Sequence, residues 1–325
     1  MKPAYRAEQV GSLLRPPELL RTRAGFAEGR ITEQELRRAE DQAISEALAK
    51  QREIGVDIAT DGEMRRGSWL TDMAEAVEGF VPEKVMLDWK GPGGRSEAST
   101  ANAVGGKLRK VRKLTGRELP FLQQSGLPFK ITLPAPSNFV VSSYKRGVSD
   151  KFYATPADLL QDLSSIIRDE IQWLSSEGVE YVQFDAPYYS HYLDPRQREH
   201  MRAEGRDPDE ELESGIAADN LVMEGAPRDR LTFALHVCRG NSRSRWYTEG
   251  SYEAVAEKLF QTLHVDRFLL EYDTERSGGF EPLRFIPQGK TVVLGLLTTK
   301  EARLESLSDL RRRIEEAARY VPLEN

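Results

Sequence analysis

The chain has 325 residues, one cysteine and a formal net charge of −6. A lone cysteine excludes an intramolecular disulfide, the acidic balance argues against a general nucleic-acid binder, and no run approaches the roughly 18 apolar residues of a membrane span. The opening "MKPAYRAEQVGSLLRPPELL" lacks the apolar centre of a signal peptide, so the expectation is a cytoplasmic protein acting on small polar molecules, without nucleic-acid or membrane partners.

A first strand is predicted over residues 8–12. Thr32 and Glu35 then form a capping box at the head of a helix whose Leu36, Ala39, Ala43, Ala47 and Leu48 recur at helical spacing, and Gly55 supplies its stop. Residues 56–60, "VDIAT", read as a short strand leading into Asp61 and Glu63. The stretch 80–128, rich in Gly, Ser and basic residues, interrupts this plan and reads as an inserted hairpin or lid. Strand signals follow at 130–135, 179–185, 231–237, 266–273 and 291–297, with helical stretches between most of them and a last helix, "LSDLRRRIEEAARYV", after the final strand.

Seven strands with helices between most of them, five of them ending in polar residues, predict a single (β/α)8 TIM barrel over 1–325. Reactive groups gather at the C-terminal ends of barrel strands, and those ends carry Ser12, Asp61, Glu63, Asp185, His236, Cys238, Glu271 and Asp273. An open doubly wound sheet would concentrate its site at one switch point instead. A barrel closes with eight strands, so the expected architecture lacks its final strand in this sequence.

His236 and Cys238 lie two apart on one strand and therefore face the same side, with Glu271 at the end of the next strand. The three suit a zinc ion with one coordination position left over. The pattern alone is equally compatible with a hydrogen-bonded core histidine beside a packed thiol; Glu271 and the Gly-Asn turn after the cysteine favour ligation. No H-E-x-x-H or similar motif supports metal-assisted hydrolysis.

The segments "QVGSLLRP", "VDIATDGEMRRGSW", "QFDAP", "HVCRGN", "RFLLEYDTERSGGFEPLRFIP" and "VVLGLLTTK" occur in an order that resembles the single-domain relatives of cobalamin-independent methionine synthase, over nearly the whole chain. The resemblance implies a (β/α)8 barrel, a zinc ion held by His236, Cys238, Glu271 and a second cysteine that has no counterpart here, and alkyl transfer to a small thiol such as homocysteine. It also implies that Ser12 meets the substrate carboxylate and that Glu63 and Asp185 pair its ammonium. Each has an ordinary structural alternative, Ser12 as a turn residue and the carboxylates as helix caps or partners of Arg65 and Arg66.

Two departures touch the alkyl donor. Ala186 follows Asp185 where the family usually has Glu, and Lys300 stands where the family offers a histidine as acid. A lysine donates a proton at neutral pH only if burial lowers its pKa. Folate, a corrinoid-bound methyl group and an epoxide, as in the epoxyalkane:coenzyme M transferases of the same superfamily, all stay open as donors. A metal-free barrel, decarboxylase-like or merely binding an amino acid, is the competing class. The run Lys107, Arg109, Lys110, Arg112 and Lys113 reads by default as a solvated hairpin face, and Trp69, Tyr188, Tyr189 and His191 are candidates to wall a donor pocket. The sequence is compatible with a monomer or a homo-oligomer.

Overall fold

The computed structural model describes residues 5–67 and 70–325. Trp69 lies outside them. Strands β1 (Val77–Asp88) and β2 (Ser96–Lys110) form a long antiparallel ribbon, pairing Val77 with Lys110 at its base and, after a register shift between Glu78 and Phe80, running in register from Phe80 with Val104 to Asp88 with Ser96. Five further strands, β3 (Ile131–Pro134), β4 (Tyr181–Asp185), β5 (Thr232–Val237), β6 (Arg267–Glu271) and β7 (Thr291–Gly295), make one all-parallel sheet in chain order.

Helices precede or follow these strands as parallel connections require. The helix Glu33–Ile54 has the capping box of Thr32 and Glu35, and Gly55 ends it at φ 75°. The helix Pro156–Ser176 has a second box, between Thr155 and Asp158, and buries Leu159, Leu163, Ile167, Ile171 and Leu174 along one stripe. The helix Pro208–Leu221 leads into β5, Ala256–Thr262 into β6, and Leu307–Ala317 follows β7.

Strands β3 and β4 are buried at every residue and β5 and β6 at all but one, as expected for parallel strands covered on both faces, whereas β7 is half-exposed along most of its length. Ile58, Tyr181, Ala234 and Leu269 form their own small core cluster, with Tyr5 and Val293 against it, apart from the large cluster that packs the helices.

Two of the seven expected strands differ. Residues 56–60 contribute one parallel bridge, Ala59 to Phe129, and residues 8–12 carry no ladder. The second segment is instead stitched to the 60–62 turn: Thr60 Oγ1 donates to the Gly11 carbonyl at 2.7 Å and Leu13 N–H to the Gly62 carbonyl at 3.0 Å. Hydropathy cannot distinguish a strand from a segment whose backbone bonds go to a neighbouring turn. Among the described residues the sheet is open, so the ladders establish an α/β fold without a closed barrel.

The ribbon is tied down at its tip. Lys90 and Trp246 exchange backbone hydrogen bonds at 2.7 and 3.2 Å, Lys90 Nζ meets Asp194 at 2.6 Å and Arg245 meets Glu97 at 2.8 Å. Gly91 has φ 90°, and a Cβ there would come within 2.2 Å of the Trp246 ring, so glycine permits this closure. The basic run is spent within the fold: Lys107 sits over Tyr153 and Lys113 over Trp173, while Arg109, Lys110 and Arg112 pair with Glu78, Glu170 and Glu75.

Candidate active site

Parallel register places Asp185 opposite His236. Asp185 Oδ1 lies 2.8 Å from His236 Nδ1 and accepts from Gln183 Nε2 at 2.8 Å, which fixes the imidazole and leaves Nε2 as its outward nitrogen. Cys238 follows at the strand end, half-buried. Burial disfavours a charged imidazole, but the neighbouring sulfur of Cys238 and the Asp185 carboxylate outweigh it and push the pKa of His236 up to about 10. The strand end therefore favours a cation.

Arg239 brings Glu271 beside Cys238. Its backbone N–H donates to Glu271 Oε2 at 2.7 Å, and its fully buried guanidinium donates to the Glu271 carbonyl at 2.8 Å and the Gly250 carbonyl at 2.6 Å. Tyr252 completes the staple, donating to the Val237 carbonyl and accepting from Glu271 N–H, each at 3.0 Å. The other Glu271 oxygen accepts from Arg276. Arg276 also reaches both oxygens of Asp273, at 2.8 and 3.0 Å, and lies 4.9 Å from the Trp246 ring centroid. Sequence reasoning missed Arg239 and Arg276; they stand one residue past Cys238 and five past Glu271, and nothing in that spacing marks them as partners of Glu271.

Lys300 Nζ donates to the Gly240 carbonyl at 2.7 Å. Burial lowers its pKa, against the nearby charges of Glu271, Cys238 and Asp273 that raise it. Thus Lys300 shares the electrostatic neighbourhood of Cys238 and Glu271. A cavity of about 1020 Å³ opens alongside, walled in part by Arg276, Lys300, Asp273, Trp246 and Arg313.

Glu63 is buried in the left-handed region at φ 55°, a conformation costing a non-glycine residue about 1 kcal/mol or more. Its Oε1 accepts from Thr132 Oγ1 at 3.2 Å and lies 3.5 Å from Arg66. Burial raises its pKa; Arg66 opposes the rise, and Asp185 and Asp61 add to it. Glu63 and Asp185 are thus brought together across strands. Ser12 is exposed beside Gly11, where φ is 131° and a Cβ would lie 3.1 Å from Glu63 Oε1. Of the aromatics, Tyr189 is committed to Asp219 at 2.7 Å, and His191 is buried between the rings of Tyr188 and Tyr247 at 4.8 and 5.1 Å.

Among the described residues, no three His, Cys, Asp or Glu side chains converge as a formed metal site. The donor chemistry nonetheless fits zinc: imidazole nitrogen and thiol sulfur stand together, and the far side of the imidazole has the carboxylate partner typical of zinc-binding histidines. Glu271 is the candidate third donor, with its oxygens taken by Arg239 and Arg276.

Several known proteins are similar to this chain over most of its length. YxjH of Bacillus subtilis is 36% identical over 99% of this chain and 85% of its own length. A methionine synthase of Pyrococcus abyssi is 23% identical over 96% of this chain and 81% of its own. A crystal structure of a Listeria monocytogenes protein provisionally named as a vitamin-B12 independent methionine synthase superposes with a TM-score of 0.74 at 28% identity, covering 98% of this chain and 87% of that one. The B12-independent methionine synthase of Shewanella sp. W3-18-1, solved with selenomethionine, shares the fold at a TM-score of 0.70 and 20% identity, over 91% of this chain and 81% of that one. The profile described as the catalytic domain of cobalamin-independent synthase matches residues 6–325, so the chain belongs to that methionine-synthase-like transferase family.

Proposed function

We propose that this protein transfers an alkyl group, in the first instance methyl, to the sulfur of a small aminothiol such as homocysteine, with zinc as its cofactor. The observation that carries the reading is the line Gln183–Asp185–His236–Cys238, with Glu63 at one side and Glu271 at the other. Family membership supports the reaction class. The separate core layer of Ile58, Tyr181, Ala234 and Leu269, drawn from four segments, supports a reading of the open sheet as most of a (β/α)8 barrel whose final strand is not among these ladders.

His236 and Cys238 would hold zinc, joined by Glu271 after it leaves Arg276. Bound zinc supplies Lewis acidity, which lowers the proton affinity of a substrate thiol from its ordinary pKa of about 8.5 and keeps the sulfur nucleophilic at neutral pH. The chain's residues do the rest. Asp185 anchors the imidazole through Oδ1 and offers its other oxygen, with Glu63, to the substrate ammonium. That cation relieves the repulsion that raises the Glu63 pKa. Ser12 meets the substrate carboxylate. Lys300, whose ammonium form burial weakens, gives a proton to the leaving atom of the donor.

Zinc content of the purified protein, with Cys238→Ser alongside, tests the reading, followed by an alkyl-transfer assay with homocysteine. The expected result is about one zinc per chain in the unmodified protein, and little in the variant. Absence of zinc from both, with amino-acid binding intact in Cys238→Ser, would replace the reading with a metal-free binding barrel.

A further inference from the structure

The bonding around Arg276 is lopsided for a structural ion pair. One nitrogen of its guanidinium serves both Glu271 and Asp273, the second donates to Thr274 Oγ1 at 2.7 Å, and Nε is buried with no hydrogen-bond partner among the described residues. A settled arginine–carboxylate pair would use two parallel N–H donors on one carboxylate. Here the group is stretched across two acids. It is also fixed in place, because the Trp246 ring lies against it and Trp246 is held by its indole N–H to Glu249 at 2.7 Å and by backbone bonds to Lys90.

Glu271 is the only one of the three proposed zinc donors that carries a permanent cationic partner. Asp273, which Thr298 Oγ1 braces at 2.9 Å, stays available to the guanidinium whatever Glu271 does. We propose that Arg276 is a positioning residue that stands in for the metal: it holds Glu271 while zinc is absent, and gives Glu271 up to zinc while remaining on Asp273. This inference rests on the zinc reading above. Its consequence is a tax on zinc affinity, since only the fraction of molecules with Glu271 released presents the full donor set.

The test is zinc binding by the full chain, measured by competition with a chromophoric chelator, for the unmodified protein, Arg276→Gln, Glu271→Gln and the double variant. Arg276→Gln is expected to bind zinc about tenfold more tightly or better, with the gain absent in the Glu271→Gln background. Unchanged or weaker binding in Arg276→Gln overturns the proposal. An equal gain with and without Glu271 also overturns it, because the arginine would then act only as a like charge near the metal. Should Arg276→Gln fail to fold, Arg276→Lys carries the same cycle with a smaller gain expected, since an ammonium cannot fork across two acids. Cys238-dependent zinc binding in the unmodified protein without the expected cycle removes this inference alone; no zinc binding removes it together with the proposed function.

Discussion

At the N-terminal ends of the parallel strands, Glu8, Lys130, Tyr181 and Arg267 form a closed set. Lys130 meets Glu8 at 2.8 Å with both side chains fully buried, Arg267 reaches the other Glu8 oxygen at 3.2 Å, and Tyr181 donates to the same carboxylate at 3.1 Å. At the C-terminal ends, Glu63, Asp185, Glu271 and Asp273 stand among Arg66, His236, Arg239, Arg276 and Lys300, Glu63 is held at positive φ, and Arg276 Nε is buried with no hydrogen-bond partner among the described residues. Both ends bury charge. One end pairs its charges within the fold, while the other leaves an arginine N–H unsatisfied among the described residues and a glutamate in a costly backbone conformation.

The largest effect should come from breaking the closed end. Lys130→Met leaves Glu8 buried with reduced compensation and is expected to cost about 3–5 kcal/mol in denaturant unfolding, with most of it recovered when Glu8→Gln is added. A cost below about 1 kcal/mol would show that the two ends do not differ in this way. A smaller effect sharpens the boundary of the open end. His191 is held down to about 3 by burial, with Arg206 and Lys90 also opposing its charge and Asp194 favouring it. Its folded pKa lies below the unfolded value, so the stability it contributes is present above about pH 6.5 and drains away as pH falls toward 3. That amounts to roughly 2 kcal/mol between pH 7 and pH 5. His191→Phe should flatten that part of the acid-unfolding profile; an unaltered slope would assign His191 to the reactive region instead. The smallest stability change is expected for Glu63→Gln, within about 1 kcal/mol, because it removes a carboxylate whose charge burial disfavours, with Asp185 and Asp61 adding to that and Arg66 opposing it. Its KM for an aminothiol should nonetheless rise by about tenfold or more, through loss of an ammonium partner. A large loss of stability with an unchanged KM would place Glu63 among the structural charges.

The sequence made the open end easier to see than the closed one. His236, Cys238, Glu271, Asp185 and Glu63 stand at or just past the ends of strand signals, where an apolar run gives way to reactive side chains. Glu8, Lys130 and Arg267 lie where strands begin, and each reads locally as one more surface charge; that they meet depends on contacts spanning most of the chain. Five of the predicted strands contain the observed ladders, because continuous apolar runs between helices admit few other placements. Residues 56–60 stop at a single bridge, Ala59 to Phe129, and the segment around Gly11 gives its backbone bonds to the 60–62 turn, neither of which local hydropathy records. Arg276 and Arg239 were legible only as arginines, since nothing in their spacing shows that both are buried.

The clasp between the ribbon tip and Trp246 also bears on the order in which the molecule assembles. Pairing within the ribbon joins residues close in sequence and can zip early, whereas Arg245 and Glu97 are 148 residues apart. That contact, with the pairing of Lys90 and Trp246 beside it, closes a far longer loop than any pairing within the ribbon. The seat beneath Arg276 therefore depends on a longer loop closure, with a larger entropic cost, than the meeting of His236 with Asp185 across neighbouring strands.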